Sequence, residues 1–419
     1  MARQMKDSGV EWIGEIPDTW SLSRVGSYIS IVESGVSVNA GINPAGEGEL
    51  GVLKTSCVST GKFNPDENKV VNKDEVGRVG CPVRAGCLIV SRMNTPELVG
   101  ACGYVEQSYP NIYLPDRLWQ IHVNPGYSAK FAYYYLTSSL ARSFYASIAV
   151  GTSSSMQNIS QKEFSSMRCT CPPYVEQERI AIFLDAKCAE IDKVVEQTRA
   201  TIEEYKKLKQ AIITEAVTKG VRGPRPMKPS GVEWIGDIPE EWYKASLKYL
   251  CRMNAGDSLS SLDILSAGSY PVYGGNGLRG FYSLSNCKGP VILIGRQGAL
   301  CGNVHLVDGD FWATEHAVIT RFSADIFMRY GYYLLNAMNL GQYISPSAAQ
   351  PGLSVSKISS ITAVIPHISE QQEISAYLDT KCAEIDRIIE KKEQLMEELG
   401  SYKKSLIYEY VTGKKEVTA

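Results

Sequence analysis

The sequence predicts an α+β fold: two mixed α/β domains separated by two long antiparallel coiled-coil helices, with pseudo-twofold symmetry. Three observations predict it. Ser8-Gly9-Val10-Glu11-Trp12-Ile13-Gly14 returns as Ser230-Gly231-Val232-Glu233-Trp234-Ile235-Gly236. Leu184-Asp185-Ala186-Lys187-Cys188-Ala189-Glu190-Ile191-Asp192 returns as Leu378-Asp379-Thr380-Lys381-Cys382-Ala383-Glu384-Ile385-Asp386. Each copy of this second repeat lies in a stretch whose apolar residues recur at steps of three and four, the spacing of a coiled-coil seam. The intervening stretches are little alike. A duplicated frame around divergent inserts suggests a symmetric scaffold that presents two different surfaces.

Residues 1–20 form the first Trp-containing repeat, and residues 21–175 the first variable domain. Within it, residues 87–92 read as a buried strand ending in Arg92, and residues 131–136 as an amphipathic helix. After Cys171-Pro172-Pro173-Tyr174 a long helix occupies 176–220, with seam residues Leu184, Ile191, Val195 and Ile202. About 43 residues of helix make a rod of roughly 65 Å. Gly223-Pro224-Arg225-Pro226 stops it and begins a Gly/Pro linker, which carries the second Trp repeat within 221–242. The second variable domain, 243–366, shows the same order: a strand at 290–296 ending in Arg296, then a helix at 330–335. The second rod, 367–413, carries Leu378, Ile385, Ile389, Met396 and Leu399, and a short tail covers 414–419. Lys209 and Lys403 fall at matching seam positions and are candidates for setting register. The competing expectation is that each helix packs on its own domain. The length of the stripe favours a rod partnered by the other rod.

With 44% hydrophobic and 21% charged residues among 419, the chain is globular rather than disordered. No apolar run nears the ~20 residues of a membrane span. The first residues lack a signal-peptide segment, so a cytoplasmic protein with no membrane partner is expected. Eleven cysteines without a C-x-x-C pair fit reduced thiols. The net charge of −2 hides a division. Residues 21–172 hold 13 Lys and Arg against 11 Asp and Glu, and 243–365 hold 9 against 6, whereas 367–412 hold 6 against 10. Mildly basic inserts suit contact with phosphate, and an acidic frame suits contact with protein. A merely solvated surface explains the same balance.

Several motifs invite catalytic readings. Gly275-Asn276-Gly277-Leu278-Arg279-Gly280 fits G-x-G-x-x-G, yet a strand-like segment follows where a dinucleotide site needs a helix, so a tight turn or a glycine-rich loop facing a partner is expected. Cys171-Pro172-Pro173-Tyr174 resembles the Asp/Asn-Pro-Pro-Tyr motif of amino-methyltransferases, but cysteine is a poor acceptor there and prolines suit a helix entry. The four histidines show no metal-ligand spacing, and no nucleophile–base pattern or P-loop is visible. No metal site and no cofactor are expected in this chain. Trp12, Trp20, Trp234 and Trp242 are either core anchors or part of a circular closure, in which the first box docks near the end of the second helix.

The Ser-Gly-Val-Glu-Trp-Ile-Gly-x-Ile-Pro box present twice, Glu176-Gln177 and Glu370-Gln371 at the helix starts, and the Val-Thr-Lys-Gly and Val-Thr-Gly-Lys helix ends together resemble the specificity subunit of type I restriction-modification systems. Tyr270-Pro271-Val272-Tyr273-Gly274-Gly275-Asn276-Gly277 is similar to segments of that family's recognition domains. The resemblance implies two target-recognition domains that read a split double-stranded DNA sequence, one half each. It further implies two methyltransferase (modification) subunits and restriction/translocase subunits as partners, with S-adenosylmethionine, Mg and ATP bound on those partners. A specificity subunit of a methyltransferase-only or related restriction system, a methyltransferase in its own right and a protein-only coiled-coil adaptor are the alternatives. Arg suits guanine, and Asn and Gln suit adenine. The expected base-reading residues are therefore Arg92, Asn94, Gln157 and Asn158 in the first domain. In the second they are Asn276, Arg279, Arg296, Gln297 and Gln350.

Overall fold

A computed structural model describes residues 3–153, 156–297, 301–344 and 352–417. The chain forms two compact units, one of residues 1–197 with 395–419 and one of 198–394. The division falls inside both long helices, Tyr174–Lys219 and Ile368–Val411. The helices are therefore not a domain of their own. Each unit holds one variable domain together with a stretch of each helix.

In the first unit an antiparallel sheet runs in the order Cys102–Tyr104, Leu88–Ser91, Leu118–Val123, Ile29–Ser34. A second sheet runs Asn68–Val70, Gly51–Leu53, Tyr109–Tyr113, Pro82–Val83, with its two middle strands parallel. The second unit repeats both orders. Its first sheet is Val304–Val307, Val291–Gly295, Ala317–Phe322, Cys251–Ala255. Its second is Gly277–Tyr282, Tyr270–Gly274, Asp310–Ala313, Cys287–Lys288, again parallel in the middle. Inserts with little common sequence thus share one topology.

The apolar runs at 88–91 and 291–295 follow from burial on both faces, with alternate side chains serving different cores. Leu88 and Val90 join the core that contains Phe131, Tyr134 and Leu136 of the helix Ala129–Thr137. Ile89 faces the second sheet, against Leu53, Val83 and Leu114. Ile292 and Ile294 likewise meet Tyr330, Tyr333 and Leu334 of the helix Met328–Ala337. Val291 and Leu293 meet Phe311 on the other side.

Inside each unit the two long helices run antiparallel. The Phe183 and Tyr410 rings lie 4.5 Å apart and Lys403 bonds Asp192 at 2.6 Å, so numbering rises on one helix as it falls on the other. In the second unit Lys209 bonds Asp386 at 2.7 Å, and Lys392 lies over the Tyr205 ring. The two lysines at matching seam positions therefore meet the last aspartate of the duplicated motif. Leu184, Ile191, Ile202, Leu378 and Ile385 are buried. Val195 and Leu399 pack at the edge of the first unit's core, while Ile389 and Met396 are half-buried.

The same stripe also holds the variable domains, which uses both expectations for the helices at once. Asp185 accepts from Tyr134 Oη at 2.7 Å and Lys130 Nζ at 2.6 Å, and Asp379 accepts from Tyr333 Oη and Arg329 Nε, each at 2.6 Å. Gln177 donates to the Pro172 carbonyl and accepts from Ser128 N, as Gln371 donates to Pro366 and accepts from Phe327 N. The duplicated sequence is thus duplicated because one set of joints is made twice.

The Trp boxes close onto the helix starts by the same device. Trp20 Nε1 donates to Glu176 Oε2 at 2.8 Å, with Arg3 paired to Glu176 at 2.7 Å and lying over the indole. Trp242 Nε1 donates to Glu370 Oε2 at 3.0 Å, with Arg225 paired to Glu370 at 2.6 Å and over that indole. Both expectations for the tryptophans meet in Trp20, which is buried and also lies beside Gly413. Trp20 and Trp242 are core anchors at 1% exposure, whereas Trp12 is 38% exposed. The first box also docks at the end of the second helix: Lys414 Nζ bonds the Glu15 carbonyl, and Gly413, at φ +73°, lies so close to Pro17 that a Cβ would meet its ring at 2.4 Å.

Glu370 is 2% exposed with Arg225 at 12%, whereas Glu176 is 26% exposed with Arg3 at 17%. Removing a buried partner strands the other charge. Glu370→Ala is expected to cost about 3 kcal/mol and Glu176→Ala about 1 kcal/mol, read as the change in urea-unfolding free energy.

Candidate nucleic-acid interface

The chain leaves the central strand Leu88–Ser91 through Arg92 into a two-residue strand, Met93–Asn94. That strand pairs with Met156–Asn158, which pairs with Val150–Ser153. Gln157 stands opposite Asn94, Asn158 opposite Met93, and Ile159 N donates to the Arg92 carbonyl. Four expected residues from two distant segments thereby meet on one three-stranded ribbon. Their side chains differ in freedom. Asn94 donates to Ser91 Oγ at 3.3 Å and accepts from Thr95 N at 2.9 Å, so much of its amide serves the turn. Arg92 Nε and Asn158 Oδ1 are buried without a hydrogen-bond partner among the described residues, so neither atom is consumed by the turn.

The second unit builds the same place. Arg296 N donates to the His316 carbonyl as Arg92 N does to that of Arg117, and Leu353 N donates to Arg296 as Ile159 N does to Arg92. Gln297 forms an antiparallel bridge with Gly352. The glycine-rich segment is a hairpin, as the turn reading expected: Tyr270–Gly274 pairs with Gly277–Tyr282, and Asn276 stands exposed at the tip. Asn303 Nδ2 donates to Asn276 Oδ1 at 3.4 Å. The tip reaches the strand end because residue 275 has no side chain: a Cβ there would lie 2.9 Å from the His316 carbonyl oxygen and 3.3 Å from that of Gln297. The pairs Tyr273↔Leu278 and Val272↔Gly280 leave Arg279 as the extra residue of a bulge, a feature that re-aims side chains. Arg279 is exposed and folds back beside Gly274. Asn276, Arg296 and Gln297 are thus brought together, with Arg279 on the adjoining hairpin. Gln350 lies outside the described residues.

Sequence reasoning missed Arg117 and His316. Each directly precedes a central six-residue strand, Leu118–Val123 or Ala317–Phe322, and its carbonyl receives the arginine that follows the neighbouring strand. The shared position just before those matched strands was the available signal. Each site combines guanidinium and amide groups able to donate to and accept from base edges.

The fold also makes a nucleophile-like constellation that sequence spacing did not reveal. Cys87 Sγ lies 3.4 Å from His122 Nδ1, and His122 Nε2 lies 2.6 Å from Glu33 Oε2. Its chemistry is structural. Cys87 is 3% exposed, and burial pushes its thiol up to about 11, so it stays protonated and shielded at neutral pH. The hydrogen bond from His122 holds Glu33 down at about 2, helped by Gln120 and Arg84. Among the described residues no group of His, Cys, Asp and Glu is arranged to hold a metal ion, and no helix is long and apolar enough to cross a membrane.

Residues 17–204 and 239–398 match the family described as type I restriction modification DNA specificity domain. The chain belongs to that family. The specificity subunit of the type I restriction enzyme EcoprrI of Escherichia coli is 42% identical over 143 residues, 33% of this chain and 35% of that protein. The EcoEI specificity subunit of the same organism is 24% identical over 191 residues, 45% of this chain and 32% of that protein. The chain thus spans about a third of the length of these curated relatives. A solved chain described under complex assembly and conformational transition of the type I R-M system shares the fold, with TM-score 0.69 and 13% identity over 96% of this chain and 99% of that one. For this member of the specificity-domain family, the two matched segments contain all the expected base-reading residues.

Gly275→Ala forces the hairpin tip away from backbone that cannot rotate aside, and is expected to destabilise the chain by about 1–3 kcal/mol in thermal unfolding. Glu33 contributes through a depressed carboxyl, so its stabilisation is complete above the ordinary value of 4.5 and is lost as pH falls towards 2. Glu33→Gln is expected to cost about 2 kcal/mol at pH 7, and the gap in unfolding free energy from wild type should narrow steadily below pH ~4.5.

Proposed function

We propose that the chain is the non-catalytic DNA sequence-specificity subunit of a type I restriction-modification enzyme. It reads a bipartite duplex target, one half-site per unit, and scaffolds two adenine methyltransferase subunits and restriction/translocase subunits. The observation that carries this reading is the assembly, at one topological position in both units, of Arg92, Gln157 and Asn158 and of Asn276, Arg296 and Gln297. The polar groups suit base edges, and they differ between units while the scaffold beneath them is the same. Two equivalent scaffolds with unlike side chains fit two unlike half-sites. S-adenosylmethionine, Mg and ATP belong on the partner subunits in this reading, and the acidic outer face of the helical frame is the surface that receives those subunits.

Co-expression with the cognate modification subunits, followed by mapping of methylated adenines, tests the reading directly. The expected result is one split motif. Substituting Arg92 by Ala should relax only one half and Arg296 by Ala only the other, each by about 1–3 kcal/mol of discrimination. Deleting one heptad from each long helix should alter the unread gap and leave both half-sites as they were. Methylation without a sequence motif would refute the proposal.

A further inference from the structure

At the second unit's candidate interface a neighbour sets the orientation of one amide. His316 Nδ1 lies 2.7 Å from Gln297 Oε1. An amide oxygen only accepts, so the ring N–H donates. The other ring nitrogen lies 3.3 Å from Glu315 Oε1. The backbone around the pair is fixed as well. Arg296 N bonds the His316 carbonyl, Gln297 bridges to Gly352, and Gly275 lies against the carbonyl oxygens of both residues. With Oε1 turned towards the ring, Gln297 directs the two N–H donors of Nε2 the other way, towards an incoming group.

We infer that His316 is a positioning residue that makes Gln297 a donor-only reader, so that the base pair it meets presents an acceptor. A free glutamine suits adenine because it gives a donor to N7 and an acceptor to N6–H together. A glutamine whose oxygen is occupied lacks the second half of that match and favours guanine O6 and N7 or thymine O4. His316 acts through Gln297 and not on the base. The inference rests on the DNA-reading function proposed above and deepens it by naming the kind of edge read.

Two substitutions reverse the polarity by separate routes. His316→Asp replaces the ring donor with a carboxylate that only accepts, so the amide turns to donate inward and shows its oxygen outward. Gln297→Glu keeps His316 in place and presents a carboxylate oxygen. His316→Asn retains an N–H at the same side and is the conservative control. Random duplex DNA is selected with the full chain assembled with its modification subunits. Both reversing variants are expected to shift one base pair of one half-site by about tenfold, from an acceptor-presenting base to cytosine N4–H or adenine N6–H. His316→Asn should keep the wild-type preference, and the half-site read by the first unit should not change in any variant. An unchanged preference in both reversing variants, with selection still specific, overturns this inference and leaves the DNA-reading function standing. Absence of any sequence preference in the wild-type assembly overturns that function, and this inference with it.

Discussion

Two helices of more than forty residues each carry an apolar stripe that water will not tolerate, and almost everything else in the protein is arranged along that stripe. Its apolar residues give the attraction but little address, because Leu and Ile pack acceptably in neighbouring registers. The address comes from carboxylates. Asp192 and Asp386 each take a lysine from the facing helix, Asp185 and Asp379 each take a tyrosine and a cation from the variable domain, and Glu176 and Glu370 each take a tryptophan and an arginine from the box. A shift of one turn would break these pairs together and would strand Glu370, which is 2% exposed. Hydrophobic burial thus supplies the force and the ion pairs choose among its solutions.

The division of labour between frame and insert follows from the same joints. Each variable domain meets the helices through an amphipathic helix and its helix-entry backbone, and the first also through Lys62, paired with Asp192, and Thr170, which donates to the Val411 carbonyl. None of these joints uses Arg92 or Arg296 at the strand ends, where the candidate reading groups gather. Side chains there can change without disturbing the joints. The second sheet is what keeps the central strand dry on its other face, so the polar rim sits on a rigid base.

Much of this was legible in the residues. The duplicated motifs gave the repeated unit, the three-four spacing gave the long helices, and the continuous apolar runs gave the central strands. The Glu-Gln pairs were recognisable as marks of the helix starts, but not as the acceptors of a distant indole and a distant backbone amide. Chemistry alone marks Arg92 and Asn158 in the sequence, and a ribbon formed between residues 93–94 and 156–158 joins them. The place of Arg117 and His316 just before matched strands is visible in the sequence, but their role comes only through the register of the neighbouring strand.

The Cys87–His122–Glu33 chain shows the same limit from the other side: three residues spread over ninety positions meet in space, and burial then decides that their meeting is structural. What the sequence by itself determined is what depends on neighbours within a turn or a strand: helix, strand, hairpin, and the fact of duplication. Only the tertiary structure decided which polar groups are consumed by the fold and which are left to face a partner. Hydrogen-bond capacity is finite, and whether an amide such as Asn94 or Gln297 has any to spare depends on atoms the chain brings in from elsewhere.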